Sequence, residues 1–455
     1  AAEELAAKHA PDEIARLNGC SSPVDTTACT TSAKSWVQRF GLRAFRRPLT
    51  SEERARYEDL FVIGTTLGED ASYDPTSGVE LVLSGMLQSP AFLYRVEFGQ
   101  PDPVQGDVVP LTSYEMASRL SYFFWGTMPD DALLEAAAAD ELQDPVQIER
   151  HARRLLDAQR SRPAIRHFHR QWLHLDEVVT KVRSAGKDYE VYPDYRPFKL
   201  PLLQEETEAF LEAVIFEGEG TVEEMYTASW SMRNEELSDW YGDTPPSGAS
   251  FTRVDRDPSI HSGFLSHAGL MMLYAKPDRT SPVKRGHWVR ERLLCDPPPS
   301  PPDVVPDPPT VDETQTTRDQ FEQHQVDPNC AGCHKLMDPI GFGFENFDGL
   351  GKFRETQNGQ QIDASGYFYR TNDLDGDFYG VVDLGQKLGN SQQVRDCVAK
   401  QWFRYAHGRA LSEDDSCSMD SALDRFEQGE FSVRELLVAL ALTDAFRYRH
   451  AVGGQ

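Results

Sequence analysis

The sequence predicts a mainly α-helical protein built of several helical units joined by proline- and glycine-rich linkers. Three observations support this fold class. Apolar residues recur at helical spacing behind recognisable helix starts, strand-like alternation is scarce, and clusters of proline and glycine separate the helical stretches. The length of 455 residues allows about three domains. We therefore expect several helical domains in series.

Three helix starts are indicated by pairs of residues. In each pair a hydroxyl residue is followed three positions later by a glutamate, which is the pattern of a capping box. The pairs are Thr50 and Glu53, Thr112 and Glu115, and Ser432 and Glu435. Behind the second and third pairs, the apolar residues at helical spacing are Met116, Leu120, Phe123, Phe124, Leu436, Leu437, Leu440 and Phe446.

Linkers divide the chain into four predicted units. Turn-forming residues crowd positions 99–110, a polar break covers 242–250, and eight of the thirteen positions 297–309 are proline. So many prolines exclude a helix, and the segment is expected to be a stiff strap. The predicted units are an N-terminal helical unit (1–100), a second helical unit (111–245), a helical segment with the proline-rich strap (250–310) and a separate C-terminal unit (311–455), which contains Cys330, Cys333 and His334.

The charge balance excludes two classes of partner. Lysine and arginine number 46 against 73 aspartates and glutamates, so the formal net charge is −27. Binding to nucleic acid or to anionic lipid needs clustered basic residues, and neither is expected here. No membrane span is expected either, because the longest apolar run, 436–442, is far shorter than the roughly 20 residues required. The N-terminal residues AAEELAAKHAP lack the features of a signal peptide, so we expect a mature or trimmed product.

The seven cysteines allow two disulfides, provided that the protein matures in an oxidising compartment. Cys20 and Cys29 bracket a short polar loop and are predicted to form a local disulfide. A second bridge is predicted between Cys397 and Cys417, where it would close a loop of about 20 residues and contribute roughly 3 kcal/mol. Cys295 then has no partner. The alternative is that all of these are ordinary buried thiols.

One motif indicates a specific chemical function, Cys330-Ala-Gly-Cys333-His334. Its spacing is that of c-type haem attachment, in which two thiols bond the haem vinyl groups and the adjacent histidine is the proximal iron ligand. A zinc site on the same three residues is a weaker alternative, because no second pair of ligands follows at a recognisable spacing. A thioredoxin-like redox pair is weaker still, because the predicted helical context lacks the βαβ unit it needs.

The surroundings of the motif suit a haem. Phe342 is predicted to contact the cofactor together with Phe344, Phe347 and Phe353, although ordinary core packing is the alternative for each, and Arg354 could pair with a propionate. The candidates for the distal iron ligand are His324, His407 and Met419, with His267, Met271 and Met272 as further possibilities. If none of them binds, the iron is five-coordinate or water-bound and could bind peroxide or oxygen.

Several stretches of the sequence carry a family resemblance. They are FGLRAFRRPLTSEE, LQSPAFLYRVE, RLSYFFWGTMPDDALL, TSPVKRGHWVRERLL, CAGCHKLMDPIGFGFENFDGLGKFR and the closing YAHGR and DAFRYR. In this order they resemble the multidomain cytochrome-type proteins of planctomycetes and myxobacteria, which consist of consecutive domains of unknown function. The resemblance implies a secreted or envelope-attached protein with one covalent haem on Cys330 and Cys333, ligated by His334.

The leading functional hypothesis is an extracytoplasmic monohaem c-type protein, in the periplasm, on the outer surface or secreted, that transfers single electrons. Its acidic surface would favour a redox partner with a basic surface. The chain is much longer than a monohaem carrier needs. This surplus motivates the alternative, a haem-dependent oxidoreductase of peroxidase or oxidase type with a substrate cleft formed by the N-terminal helical units. A third hypothesis is a surface scaffold, possible as a homo-oligomer, in which His324 ligates a haem across an interface.

Overall fold

A computed structural model of the protein describes residues 1–21, 24–67, 72–104, 106–242, 244, 246–300, 314–326 and 328–451. The side chains of 322–326 and 328–330 are outside this description, and so is most of the predicted proline-rich strap. The predicted fold class is confirmed, since the described residues are mainly helical. No described helix is long and apolar enough to cross a membrane.

The α-helices are α1 (Ala2–Ile14), α2 (Thr26–Phe45), α3 (Ser51–Gly64), α4 (Pro75–Leu87), α5 (Pro90–Leu93), α6 (Ser113–Trp125), α7 (Asp131–Ala138), α8 (Pro145–Asp157), α9 (Arg162–Trp172), α10 (Asp176–Ala185), α11 (Leu200–Glu217), α12 (Val222–Thr227), α13 (Glu235–Tyr241), α14 (Ala268–Leu273), α15 (Pro282–Trp288), α16 (Thr317–Val326), α17 (Pro328–Phe342), α18 (Gly380–Asn390), α19 (Gln392–His407), α20 (Ser416–Gln428), α21 (Val433–Leu442) and α22 (Asp444–Arg447). The strands are β1 (Val108–Pro110), β2 (Trp230–Arg233), β3 (Thr252–Asp255), β4 (Thr356–Gln357), β5 (Gln360–Gln361), β6 (Ser365–Phe368), β7 (Gly376–Tyr379) and β8 (Tyr448–His450). In the described residues they form four antiparallel pairs: β1 with β8, β2 with β3, β4 with β5 and β6 with β7.

The helix starts follow the predicted caps in two of three cases. Thr50 and Glu53 form a full capping box at the start of α3, and Thr112 and Glu115 form one at the start of α6. Helix α21 begins where predicted, but the side chain of Ser432 makes no capping hydrogen bond. Instead the first helical amide, that of Val433, donates to the carbonyl oxygen of Gly220 at 2.9 Å. A tertiary contact thus satisfies one of the unpaired amides at this helix start, although not the Glu435 amide that a capping box would satisfy.

The chain forms two compact units. The first consists of residues 1–161 and the C-terminal residues from 444 onward. Its core includes Trp36, Phe45 and Phe61, all nearly inaccessible to solvent. The predicted disulfide between Cys20 and Cys29 is present, where it joins the segment before α2 to the first turn of that helix, and is therefore confirmed.

The second unit covers residues 162–443 and contains the CxxCH motif. Helix α11 packs against α9, α10, α14 and β2. Its glutamates pair with arginines spaced four apart on α9: Glu212 with Arg162 and Arg166, and Glu208 with Arg170. These ion pairs hold two long helices in register, while apolar residues of α11 enter the core.

The predicted bridge between Cys397 and Cys417 is wrong. Cys397 is bonded to Cys295, which lies 102 positions earlier, and Cys417 is an exposed free thiol. Cys397 is buried on α19, and the turn at 289–293 packs against that helix and brings Cys295 beside it. Spacing along the chain favours short loops, whereas here long-range packing decides which sulfur atoms come within bonding distance.

Candidate functional site

The CxxCH motif lies in helix α17, on a turn that solvent can reach. Cys333 and His334 are half-buried there, and Gly332 and Lys335 are exposed. A methyl group added at Gly332 would meet no atom within 4 Å. Cys330 shares the helix face of Cys333 and His334, because residues three and four apart are neighbours on a helix. The side chain of Cys330 itself lies outside the described residues.

His334 is oriented by a carboxylate one helical turn further along. Its Nδ1 lies 2.9 Å from Oδ2 of Asp338, whose side chain is fully buried. This hydrogen bond raises the pKa of His334, although partial burial acts in the opposite direction. A carboxylate on Nδ1 favours the tautomer that leaves Nε2 as the lone-pair donor, and it also increases the basicity of the ring. The arrangement is typical of a metal-ligating histidine.

Helix α17 is anchored on its far side by very close packing against α15. A Cβ atom at Gly286 would lie 1.9 Å from the carbonyl oxygen of Met337, and one at Gly341 would lie 1.9 Å from that of Pro282. Only glycine permits such an approach of the two backbones. The helix that carries the motif is therefore fixed to α15 on one side and accessible at Gly332 and Lys335.

The loop that follows α17 is held by a buried arginine. The guanidinium of Arg285 donates to the carbonyl oxygens of Phe344 and Phe347, both at 2.8 Å, and to that of Asp348 at 2.9 Å. Glu345 lies 3.7 Å from the same guanidinium, and complete burial lowers the pKa of Arg285. These contacts lock the glycine- and phenylalanine-rich sequence after the motif into one conformation.

Arg354 is half-buried in this region, and three of the four predicted phenylalanines are buried. Arg354 pairs with Glu345 at 3.2 Å, and Phe342 is buried beneath the guanidinium of Arg318, 4.3 Å from the ring centre. Phe344 and Phe347 are likewise buried, while Phe353 is 41 % exposed. Contact of Phe342 and Arg354 with a cofactor therefore stays a prediction, and each residue already has a protein partner.

The distal candidates are distributed over several helices. His407 ends α19, where its ring lies 4.1 Å from that of Phe403, and Met419 is buried on α20. Within the described residues α17 packs mainly on α15, α16 and β6, whereas α20 packs on α19 and α21. His324 lies on α16, next to α17, but its side chain is outside the described residues. The identity of a distal ligand therefore stays a prediction.

His267, a further distal candidate, belongs to a buried hydrogen-bond network. Its Nδ1 lies 3.0 Å from the hydroxyl of Thr207, and its Nε2 lies 3.1 Å from that of Ser231. Ser231 in turn donates to Glu206 at 2.9 Å. Burial lowers the pKa of His267 to about 3, so its ring is neutral at pH 7. Because both ring nitrogens are hydrogen-bonded inside the protein, His267 has a structural role.

The donor chemistry of the described residues fits a proximal haem ligand. A histidine with a carboxylate on Nδ1 and a half-buried thiol beside it suits iron ligation and thioether attachment. Within the residues whose side chains are described, no three histidine, cysteine or acidic groups cluster as a metal site. Because Cys330 is not included, the zinc alternative is untested.

Two residues near the motif were missed by the sequence analysis. Asp338 could have been found, because it follows His334 by four positions and so lies on the same helix face. No pattern in the sequence indicated that Tyr367 on β6 lies near the motif. Burial raises the pKa of its phenol, and the negative charge of Asp338 adds to that effect. Strand β6 reaches α17 because Gly366 packs directly on the carbonyl oxygen of Pro339.

Four family models match consecutive parts of the chain. Each is described as a protein of unknown function: DUF1595 over residues 32–97, DUF1592 over 111–242, DUF1588 over 261–357 and DUF1585 over 375–446. The CxxCH motif falls within the third of these ranges. Comparison with curated proteins and with solved structures finds no match. The chain is thus a multidomain protein in which four consecutive domains of unknown function cover most of the sequence.

Proposed function

We propose that this chain is an extracytoplasmic c-type haem protein that transfers single electrons. The observation that carries the proposal is the hydrogen bond between Nδ1 of His334 and buried Asp338, within a CxxCH motif. A bound haem supplies a one-electron iron couple. Asp338 would orient the imidazole, and Cys330 and Cys333 would hold the porphyrin through thioether bonds.

The location outside the cytoplasm is supported by disulfide chemistry. The bridges Cys20–Cys29 and Cys295–Cys397 both need an oxidising compartment to persist. Covalent attachment of haem c is useful in the same setting, because a cofactor released there would be lost by dilution. The net charge of −27 favours a redox partner with a basic surface, and the association should weaken as salt concentration rises.

A haem-dependent oxidoreductase is the second candidate, and one observation favours it. Of the three leading distal candidates, the two whose side chains are described are His407 and Met419, and they lie on helices that pack against each other and not mainly against α17. If His324 also fails to reach the iron, the sixth position is open to a small molecule such as peroxide.

Attachment of the haem is tested by expression in a host competent for c-type maturation. We expect the pigment to resist extraction with acid and acetone, and the mass to exceed that of the polypeptide by one haem. Cys333→Ser should leave a single thioether bond and shift the haemochrome band. Cys417→Ser changes a free thiol outside the motif and serves as the matched control, with no expected shift. A wild-type mass equal to the bare polypeptide would reject the proposal.

The spin state separates the two candidates. A low-spin ferric spectrum that cyanide leaves unchanged supports the electron carrier, and a high-spin spectrum that shifts with cyanide or peroxide supports the oxidoreductase. For a low-spin protein, His324→Ala, His407→Ala and Met419→Ala are compared one at a time. Only the true ligand should give a high-spin signal when replaced.

A further inference from the structure

A cleft of about 580 Å³ lies in the second unit, and no residue of α17 is among those that line it. Its walls are formed by residues 180–182 and 184–187 at the end of α10, by 272–273 and 275–277 at the end of α14, and by Lys284. Val182, Met272 and Leu273 make much of this lining apolar. The cleft is large enough for a small organic molecule.

Every charged side chain that lines the cleft is a lysine. The four are Lys181, Lys187, Lys276 and Lys284, out of eleven lysines in a chain whose formal net charge is −27. In so acidic a protein, a cleft whose charged lining is wholly basic is unexpected from composition alone. Its sign matches an anionic ligand.

Three of these lysines have no acidic partner. Lys181 pairs with Glu177 at 2.7 Å, outside the cleft lining. No ion pair within 4 Å joins Lys187, Lys276 or Lys284 to a carboxylate in the described part of the chain. Asp278 and Asp348 act on these lysines electrostatically but form no direct ion pair with them, although the chain has 73 acidic residues.

Lys187 is the most confined of the three. Its residue is 6 % exposed, and its Nζ donates to the carbonyl oxygens of Lys276 at 2.9 Å and Met272 at 3.3 Å. An ammonium has three protons, so one remains for a ligand in the cleft. Burial lowers the pKa of Lys187 to about 7, and the positive charges of Arg285 and Lys284 act in the same direction, while the negative charges of Asp348 and Asp278 oppose them. A bound anion would stabilise the charged form of Lys187.

We propose that this cleft binds a small organic anion, a carboxylate carried on an apolar body. The carboxylate would accept hydrogen bonds from Lys187 and from the more exposed Lys276 and Lys284, and the apolar body would pack on Val182, Met272 and Leu273. A purely inorganic anion would leave that apolar lining uncovered. The site is independent of the proposed haem function, since none of its residues belongs to the CxxCH motif.

Calorimetric titration of the full chain tests the proposal. The probe is 2-naphthoate, and 2-naphthamide is its uncharged counterpart of nearly the same shape. We expect the carboxylate to bind at least tenfold more tightly than the amide. Equal affinities for the two compounds, or no heat of binding with millimolar naphthoate, would overturn the proposal.

Lysine replacements then locate the site. Lys276→Met and Lys284→Met should each weaken naphthoate binding about threefold to tenfold and leave the amide unaffected. Lys187→Met should weaken it more, and if that variant does not fold, the two rim variants decide. Lys400→Met changes an exposed lysine outside the cleft and is the matched control. Unchanged affinity in both rim variants would place any binding elsewhere and contradict the assignment.

Discussion

The imidazole Nδ1 of His334 and the carboxylate of Asp338 lie 2.9 Å apart on successive turns of one helix. Asp338 is fully buried, so its negative charge is not screened by water and acts strongly on the ring. The pair fixes the tautomer and the direction of the imidazole at once. The properties of the proposed haem site should therefore depend on Asp338 nearly as much as on its ligand.

Replacing Asp338 with asparagine should raise the reduction potential of the haem. Loss of the negative charge makes His334 a weaker donor, and Fe(III) needs a strong donor more than Fe(II) does. A tenfold loss in this preference corresponds to about 59 mV for a one-electron couple. The measurement is a spectroelectrochemical titration of the wild type and of Asp338→Asn.

The control for this measurement is Asp424→Asn on α20, which removes the same charge from an exposed position. Its potential should stay close to that of the wild type. If both variants shift the potential equally, the effect is a general loss of negative charge, and the specific role of Asp338 is refuted.

The two disulfides should differ in their contribution to stability. The Cys295–Cys397 bridge spans 102 positions and the Cys20–Cys29 bridge only 9. In the chain-entropy estimate these separations correspond to about 4.7 and about 2.6 kcal/mol. We expect Cys295→Ala with Cys397→Ala to lower the urea midpoint of its unit more than the matched pair Cys20→Ala with Cys29→Ala lowers that of the other. The reverse order would show that strain or residual structure dominates.

Alkylation of the native protein should mark Cys417. This thiol is exposed at the start of α20, whereas Cys295 and Cys397 become reactive only after reduction. In haem-loaded protein Cys330 and Cys333 should also resist iodoacetamide, because their sulfur atoms are alkylated already. Peptide mapping by mass spectrometry distinguishes these cases. Labelling of Cys397 in unreduced protein would contradict the disulfide assignment.

Local features of the fold could be predicted from the sequence because their partners lie close along the chain. The capping boxes at Thr50 and Thr112 need only a glutamate three positions away. The Cys20–Cys29 bridge likewise joins neighbouring residues. The buried faces of α6 and α21 follow from helical spacing, and Met116 and Leu436 are accordingly inaccessible.

Features set by distant contacts could not be predicted. The amide of Val433 finds its acceptor at Gly220, and the partner of Cys397 comes from a segment about one hundred positions away. The candidate site likewise combines features that the sequence predicts with features that it does not. The CxxCH motif can be identified in the sequence, and Asp338 could have been found from its spacing to His334. The approach of Gly366 to Pro339 arises only when β6 folds onto α17.

The two glycines at the contact of α15 with α17 should tolerate no side chain. Gly286→Ala and Gly341→Ala would each place a methyl group 1.9 Å from a carbonyl oxygen. Because the backbone must move to relieve that contact, we expect a loss of about 1–3 kcal/mol or more in the free energy of unfolding. Denaturant titration monitored by circular dichroism gives the values.

Gly332→Ala is the matched variant on the same helix, where the added methyl group meets nothing within 4 Å. It should be neutral or stabilising by up to about 1 kcal/mol, since alanine favours helices over glycine. Equal destabilisation by all three replacements would mean that the close approach of α15 and α17 is not what limits these positions.

The second unit should lose stability on mild acidification because three buried histidines resist protonation. Burial lowers the pKa of His169 and His267 to about 3 and that of His261 to about 2, with Arg256 adding to the effect at His261. The unfolded chain takes up these protons near pH 6.5, so unfolding becomes more favourable as pH falls below that value. The slope approaches about 1.4 kcal/mol per pH unit for each histidine.

Urea unfolding between about pH 6 and about pH 5 measures this slope in a range above the carboxylate pKa values. His169→Gln should reduce the slope by about 1.4 kcal/mol per pH unit, because glutamine keeps a donor for the carbonyl oxygen of Ile165 and has no proton to gain. His287→Gln removes an exposed imidazole and is the control, with the wild-type slope expected. If His169→Gln leaves the slope unchanged while the control reduces it, surface histidines cause the acid sensitivity. That result would contradict the prediction, because it would mean that the buried histidines take up protons in the folded unit as readily as in the unfolded chain.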